Sequence, residues 1–128
     1  MKKIMSLKES GEMYLETIYI LYKFKSSVRS IDVAEFMNFS RASVSRGMSL
    51  LKKQDFILMD KDGYITLTKK GEKTAEKIYE RHTVISKMLT AMGIDEKTAT
   101  EDACRIEHVI SDKTFEAIKA HAEKYTNK

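Results

Sequence analysis

The amino-acid sequence predicts a mainly α-helical fold with one short β insertion, on three observations. No proline interrupts its 128 residues, so long helices are unobstructed. Apolar residues recur at spacings of three and four along most of the chain. A hairpin-like stretch, between Phe56 and Thr68, breaks that period.

Ser6-Leu7-Lys8-Glu9 has the form of a capping box, a hydroxyl residue followed three later by a carboxylate. Behind it Tyr14, Ile18, Leu21, Tyr22 and Lys25, with Leu15 alongside, trace an amphipathic helix of about four turns. Ser26-Ser27 ends it, and Val28-Arg29-Ser30 reads as a short extended segment. Ser30 is the expected cap of a second helix, Ile31 to Met37, with Val33, Ala34 and Met37 inward. Asn38 suits the left-handed conformation that stops a helix. Ser40 is the expected cap of a third helix, about Arg41 to Gln54, whose stripe is Val44, Met48 and Leu51, with Leu50 beside it. Two short helices joined by about three residues form a helix-turn-helix.

Phe56-Ile57-Leu58-Met59 is a short apolar run, Asp60-Lys61-Asp62-Gly63 is turn chemistry, and Tyr64-Ile65-Thr66-Leu67-Thr68 alternates and is rich in β-branched residues. A helix-turn-helix followed at once by a hairpin is the order of a winged helix. Thr68 then caps a long helix reaching about Ala91 and stopped by Gly93. Asp95 starts a fifth helix, about Glu96 to Ile110. Ser111 caps a sixth, with Phe115, Ile118 and Ala122 on one face. Helices this rich in Met, Leu and Ile in so short a chain imply a buried self-association face.

Composition narrows the function. Hydrophobic residues make up 42% and charged residues 33%, which suits a folded, soluble chain. No apolar run approaches the roughly 20 residues of a membrane span. The basic start, Met1 to Ser6, lacks an apolar stretch behind it, so no export signal is read. One cysteine, Cys104, excludes an internal disulfide framework and fits a reducing cytoplasm. The net charge of +4 is uneven: residues 1–71 hold 13 Lys and Arg against 8 Asp and Glu, residues 72–128 hold 10 against 11. The first half is therefore the candidate for meeting phosphates.

Within that half the exposed start of the third helix carries Ser40, Arg41, Ser43, Ser45 and Arg46. Hydroxyls and helix N-terminal amides hold phosphates, and an arginine can grip O6 and N7 of a guanine with two bonds. Arg46 is the first choice for that role and Arg41 the second. Lys61 at the wing tip, with Lys52, Lys53, Lys69 and Lys70, is placed to meet the DNA backbone. Gly47 costs the helix about 1 kcal/mol relative to alanine; it either lets the backbone approach DNA or is incidental.

The sharpest local signal is Cys104-Arg105-Ile106-Glu107-His108. Positions i, i+3 and i+4 share a helix face, so thiolate, carboxylate and imidazole gather in one patch. Such a set binds a divalent transition metal, and soft sulfur disfavours Mg or Ca. Taken singly, each residue has a bland explanation in packing or solvation. A fourth donor has to come from elsewhere, and His82, Met13 and Glu16 are the candidates.

These residues together resemble the diphtheria-toxin-repressor family of iron- and manganese-dependent regulators. The resemblance is carried by Glu12-Met13-Tyr14-Leu15-Glu16-Thr17-Ile18-Tyr19, by Ser40 to Arg46, by Arg81-His82, and by Ala103 to Ser111, in order and over nearly the whole chain. It implies a winged helix-turn-helix DNA-binding domain, expected over residues 1–71, and a helical metal-binding and dimerisation domain, expected over 72–128. It also implies an activating metal site of Met13, Cys104, Glu107 and His108, the iron-sensing form, since manganese-sensing members carry carboxylates at the first two positions.

Three departures from the family pattern stand out. Of the iron-type ancillary site only His82 is matched, because Ser86 and Thr100 stand at the other two ligand positions. Glu16 with His82 resembles half of the second site of manganese-type members, which allows a hybrid binuclear site sharing Glu107. With its last residue at Lys128, the chain is expected to be a short form that lacks the SH3-like domain of longer members.

The expected function is a cytoplasmic, homodimeric repressor of palindromic double-stranded operator DNA, switched by Fe(II) with Mn(II) the alternative. It is not expected to be an enzyme, to touch membranes or to take a small organic substrate. The competing readings are a winged-helix regulator whose Cys104 is a redox thiol, a small metalloenzyme, and a metal-independent dimerisation module. No nucleophile–base pair or Gly-rich phosphate loop supports the enzyme.

Overall fold

The structure is a computed structural model, and it describes residues 9–126. The capping box expected at Ser6 lies outside them. The elements run α1 Glu9–Leu21, β1 Val28–Arg29, α2 Ser30–Met37, α3 Arg41–Lys53, β2 Ile57–Met59, β3 Tyr64–Leu67, α4 Lys69–Ala91, α5 Glu96–Ile106 and α6 Asp112–Thr126. This is the mainly α fold expected, and its first six elements follow the order of a winged helix. The chain divides into two compact units, residues 1–76 and 77–128.

In the first unit α1, α2 and α3 pack around Leu15, Ile18, Val33, Val44, Met48 and Leu51, all essentially without solvent contact. Each such side chain contributes about 1.5–3 kcal/mol on leaving water, and Leu50, on the far side of α3, stays exposed. Val28, Ile57 and Ile65 extend the same core into the sheet. That sheet has three antiparallel strands in the order β1-β3-β2. Val28 stands opposite Ile65 and Arg29 opposite Tyr64, while Ile57 stands opposite Leu67. The extended segment at Val28 is thus a third strand, paired with residues more than thirty positions later.

Local chemistry sets most boundaries. Asn38 stops α2 with φ 58 and ψ 42. The Ser40 hydroxyl accepts from Ser43 N at 3.1 Å and caps α3. Thr68 Oγ1 accepts from Gly71 N at 3.0 Å at the start of α4. Asp95 Oδ2 accepts from Thr98 N at 3.0 Å, and Ser111 Oγ from Thr114 N at 3.0 Å. The hairpin turns on Asp60, whose Oδ1 accepts from both Asp62 N and Tyr64 N at 2.9 Å, and on Gly63 at φ 86, a backbone conformation that favours glycine.

Four expectations need correction. α1 ends at Leu21, and Lys25 lies in the turn beyond it, where its ammonium pairs with Asp32 Oδ1 at 2.8 Å. Ser30 does not cap α2: Arg29 holds the cap position, and its N–H donates to Asp32 Oδ2 at 2.8 Å. Gly47 is buried against Tyr14, so its missing side chain serves packing inside the unit. α5 stops at Ile106, four residues short of Ile110, and residues 107–110 form a turn.

In the second unit Ile85 from α4, Ala103 from α5 and Phe115 from α6 form the buried centre, flanked by Val84, Leu89, Ile106 and Ile110. Among the described residues no helix is long and apolar enough to cross a membrane.

Candidate metal centre and nucleic-acid interface

The last turn of α5 and the turn after it bring Cys104, Glu107 and His108 together. One donor atom from each, a thiol sulfur, a carboxylate oxygen and an imidazole nitrogen, lies within 4.8 Å of the others. The geometry follows from their spacing. Glu107 keeps helical angles, φ −59 and ψ −24, and its N–H still bonds Ala103 O. The i, i+3, i+4 face therefore persists one residue past the helix proper.

The site is dry. The side chains of Glu107 and His108 have no solvent exposure, and His108 Nε2 stands 3.2 Å from Glu107 Oε2. On the other oxygen, Glu107 Oε1 meets His82 Nδ1 from α4 at 2.8 Å. Burying a carboxylate costs several kcal/mol unless charge or hydrogen bonds compensate it. Two imidazoles and a half-buried thiol beside one wholly buried carboxylate form a donor set that suits a transition-metal dication.

Arg81 fixes the turn. Its Nη1 donates to Glu107 O at 3.0 Å and to Ile110 O at 2.9 Å, and its Nη2 pairs with Asp112. The guanidinium also lies over the Phe115 ring, 5.3 Å from the centroid. Those carbonyls sit where α5 has ended, so Arg81 replaces the helix partners they lack. Sequence reading used Arg81 only as a neighbour of His82; its position one residue before a candidate ligand was the available signal.

Of the remaining candidates, Met13 is half-buried and Glu16 buried, both on α1 of the first unit. The Met13 carbonyl accepts from Thr17 Oγ1 at 2.8 Å. At the positions of the unmatched ancillary ligands, the Ser86 hydroxyl is buried and Thr100 is exposed.

On the first unit, Ser40, Arg41, Ser45 and Arg46 are exposed at the start of α3, and Lys61 is exposed on the hairpin turn. Ser43 is half-buried and its hydroxyl is engaged. It accepts from Ser40 Oγ at 3.0 Å and from Arg46 Nη2 at 3.5 Å. Lys70 has a structural task, donating to Gln54 O at 2.9 Å while its ammonium sits over the Phe56 ring.

Comparison with known proteins gives a family match for each half of the chain. Residues 6–72 match the family model described as the iron dependent repressor N-terminal DNA binding domain. Residues 68–127 match the iron dependent repressor metal binding and dimerisation domain. An uncharacterised HTH-type transcriptional regulator of Methanocaldococcus jannaschii is 34% identical over 124 residues, 95% of this chain and 99% of its own. The HTH-type transcriptional regulator MntR of Lysinibacillus sphaericus is 32% identical over 109 residues, 85% of this chain and 78% of its own.

Among solved structures, the manganese regulator SloR superposes with a TM-score of 0.76 at 30% identity. The match covers 91% of this chain and 53% of that one, so this chain spans about half the length of SloR. The IdeR structure of T. acidophilum, at 23% identity and TM-score 0.75, shares the fold. These relatives are regulators, not enzymes. With a DNA-binding half and a metal-binding half both matched, the chain belongs to the iron dependent repressor family of metal-dependent transcriptional regulators.

Proposed function

We propose that this protein is a cytoplasmic repressor that binds palindromic operator DNA as a homodimer when Fe(II) occupies the site at Cys104, Glu107 and His108. The observation that carries the metal assignment is the convergence of those three donors within 4.8 Å around a carboxylate with no solvent contact. A bound cation supplies charge to balance Glu107 and ties the three donors to one centre.

The chain's own residues do the rest. Arg81 holds the turn that presents Glu107 and His108, and the His82 contact fixes the carboxylate's other oxygen. The resemblance adds Met13 as a further donor and Glu16 with His82 as part of a second site. In the first unit, Arg46 reads bases from α3, with Arg41 the second choice, while Ser40, Ser43, Ser45 and Lys61 meet the backbone. Dimer formation would set two recognition helices about 34 Å apart, one turn of duplex.

The self-association face is assigned to the apolar groove of about 430 Å3 between α4 and α6, lined by Val84, Met88, Ala91, Met92 and Ala122. Met92 is 69% exposed there, and the matching family model is described as a dimerisation domain.

The test is an anaerobic fluorescence-anisotropy titration on an operator selected by the metal-loaded protein from random DNA. Affinity should fall at least tenfold, about 1.4 kcal/mol, when Fe(II) is replaced by chelator. Equal affinity in both removes the switch. A manganese-responsive reading is favoured by the names of MntR and SloR, both at least 30% identical. The same titration with Mn(II) decides between them, and the thiol of Cys104 weighs towards iron.

A further inference from the structure

A second cleft lies within the first unit, where the start of α3 meets the β1–α2 junction and the hairpin. Its volume is about 430 Å3, and three elements line it: Arg29 and Ser30 from the β1–α2 junction, Arg41 and Ser45 from α3, Met59 and Gly63 from the hairpin. No carboxylate is among its lining residues.

Arg29 lies outside the recognition helix, and its placement is specific. The β1–β3 register sets it opposite Tyr64. Its guanidinium lies over the Tyr64 ring, 5.1 Å from the centroid, and within 4 Å of where a Cβ on Gly63 would stand. Among the described residues, neither Arg29 nor Arg41 forms a salt bridge with a carboxylate. The acid nearest in sequence to Arg29, Asp32, is occupied by the Lys25 ammonium at 2.8 Å and by the Arg29 backbone N–H. Stacking limits the freedom of a long side chain, so less entropy is lost when its fork grips an anion.

We infer that this cleft seats the sugar–phosphate backbone of the bound duplex, with Arg29 contacting phosphate from the hairpin side and Arg41 from the helix side. The inference rests on the DNA-binding reading above and deepens it. Arg29 becomes a positioning residue: phosphate contacts fix register and orientation on the duplex and carry no sequence information directly. Base reading stays with Arg46. Arg41, the second choice as a base reader, is assigned here to the backbone.

The experiment measures anisotropy of the full chain loaded anaerobically with Fe(II), on the selected operator and on a scrambled duplex of equal length, across a range of NaCl concentrations. Arg29→Ala and Arg41→Ala should each reduce the slope of log K against log salt by about 0.9, the value for one phosphate contact on B-DNA. Each should weaken operator and scrambled duplex by the same factor. Arg29→Lys, which keeps the charge and loses the planar stack, should retain the slope. Arg46→Ala should instead shrink the ratio between the two duplexes.

An unchanged slope in Arg29→Ala, with wild-type binding intact, overturns this inference and leaves the DNA-binding reading standing. Loss of the slope in Arg29→Lys as well as Arg29→Ala makes the effect structural and also overturns it. Failure of the wild type to bind either duplex overturns both.

Discussion

The ring of Tyr14 occupies the space that a side chain on Gly47 would need: a Cβ there would stand 2.2 Å from Cε2 and 2.5 Å from Cδ2. Real atoms do not approach so closely, so the ring or α3 has to move. Gly47→Ala gains about 1 kcal/mol of helix propensity and incurs an overpacking cost of about 1–3 kcal/mol. We expect a net loss of stability, seen as a lower urea midpoint at constant slope. Gly47→Ala combined with Tyr14→Leu should recover part of it. A midpoint above wild type for the single variant would show that the ring yields freely.

Arg81 holds two carbonyl oxygens of the ligand-bearing turn without being a donor to the metal. Residues that orient ligands in this way typically contribute 10–100-fold to metal affinity. Arg81→Ala should therefore weaken Mn(II) or Co(II) binding by about that factor in calorimetry. Arg81→Lys should recover little, because a single ammonium cannot span the sites taken by a planar fork. Undiminished affinity would mean that the turn keeps its shape unaided.

The thiol of Cys104 sets the softness of the site. Cys104→Asp replaces sulfur by oxygen at the same position, and we expect the ratio of Co(II) to Mn(II) affinity to fall at least tenfold. In the wild type, Co(II) binding should give a thiolate charge-transfer band in the near ultraviolet, absent from Cys104→Ser. If Co(II)-loaded wild type shows no such band, the thiol of Cys104 is not a ligand and the iron-type donor set fails.

Stability on the acid side should depend on Asp32. The Lys25 ammonium hydrogen-bonded to its carboxylate, with the Arg29 backbone N–H adding to the effect, holds its pKa below the usual aspartate value. A lowered pKa in the folded state means that stability is present above the ordinary aspartate range, near 3.9, and is lost as pH falls through the lower folded value. Thermal melts of wild type and Asp32→Asn should differ most near neutral pH and converge on acidification. A gap of constant size down to strongly acidic pH would show that the pair contributes only through packing.

What the sequence disclosed follows from range. The caps at Ser40, Thr68, Asp95 and Ser111 are bonds to amides three residues on, and the Cys104, Glu107, His108 face is a matter of helical period. Such features lie within one turn and could be read directly. The features misjudged or left unassigned depend on distant partners. Gly47 answers to Tyr14 on another helix, and Val28 pairs with Ile65 across the sheet. The turn that ends α5 early is held by Arg81, 26 positions upstream of Glu107. Ser30 was misplaced for a different reason: Asp32 competes for the same helix start and accepts the cap residue's N–H.

Because Arg81 clasps main-chain oxygens, it is indifferent to which side chains hang from residues 107 and 110. The bracket and the donors are separable parts. Sulfur, oxygen or nitrogen could be exchanged around the ion while the loop kept its course, which gives this scaffold a way to change the metal it answers to without being refolded.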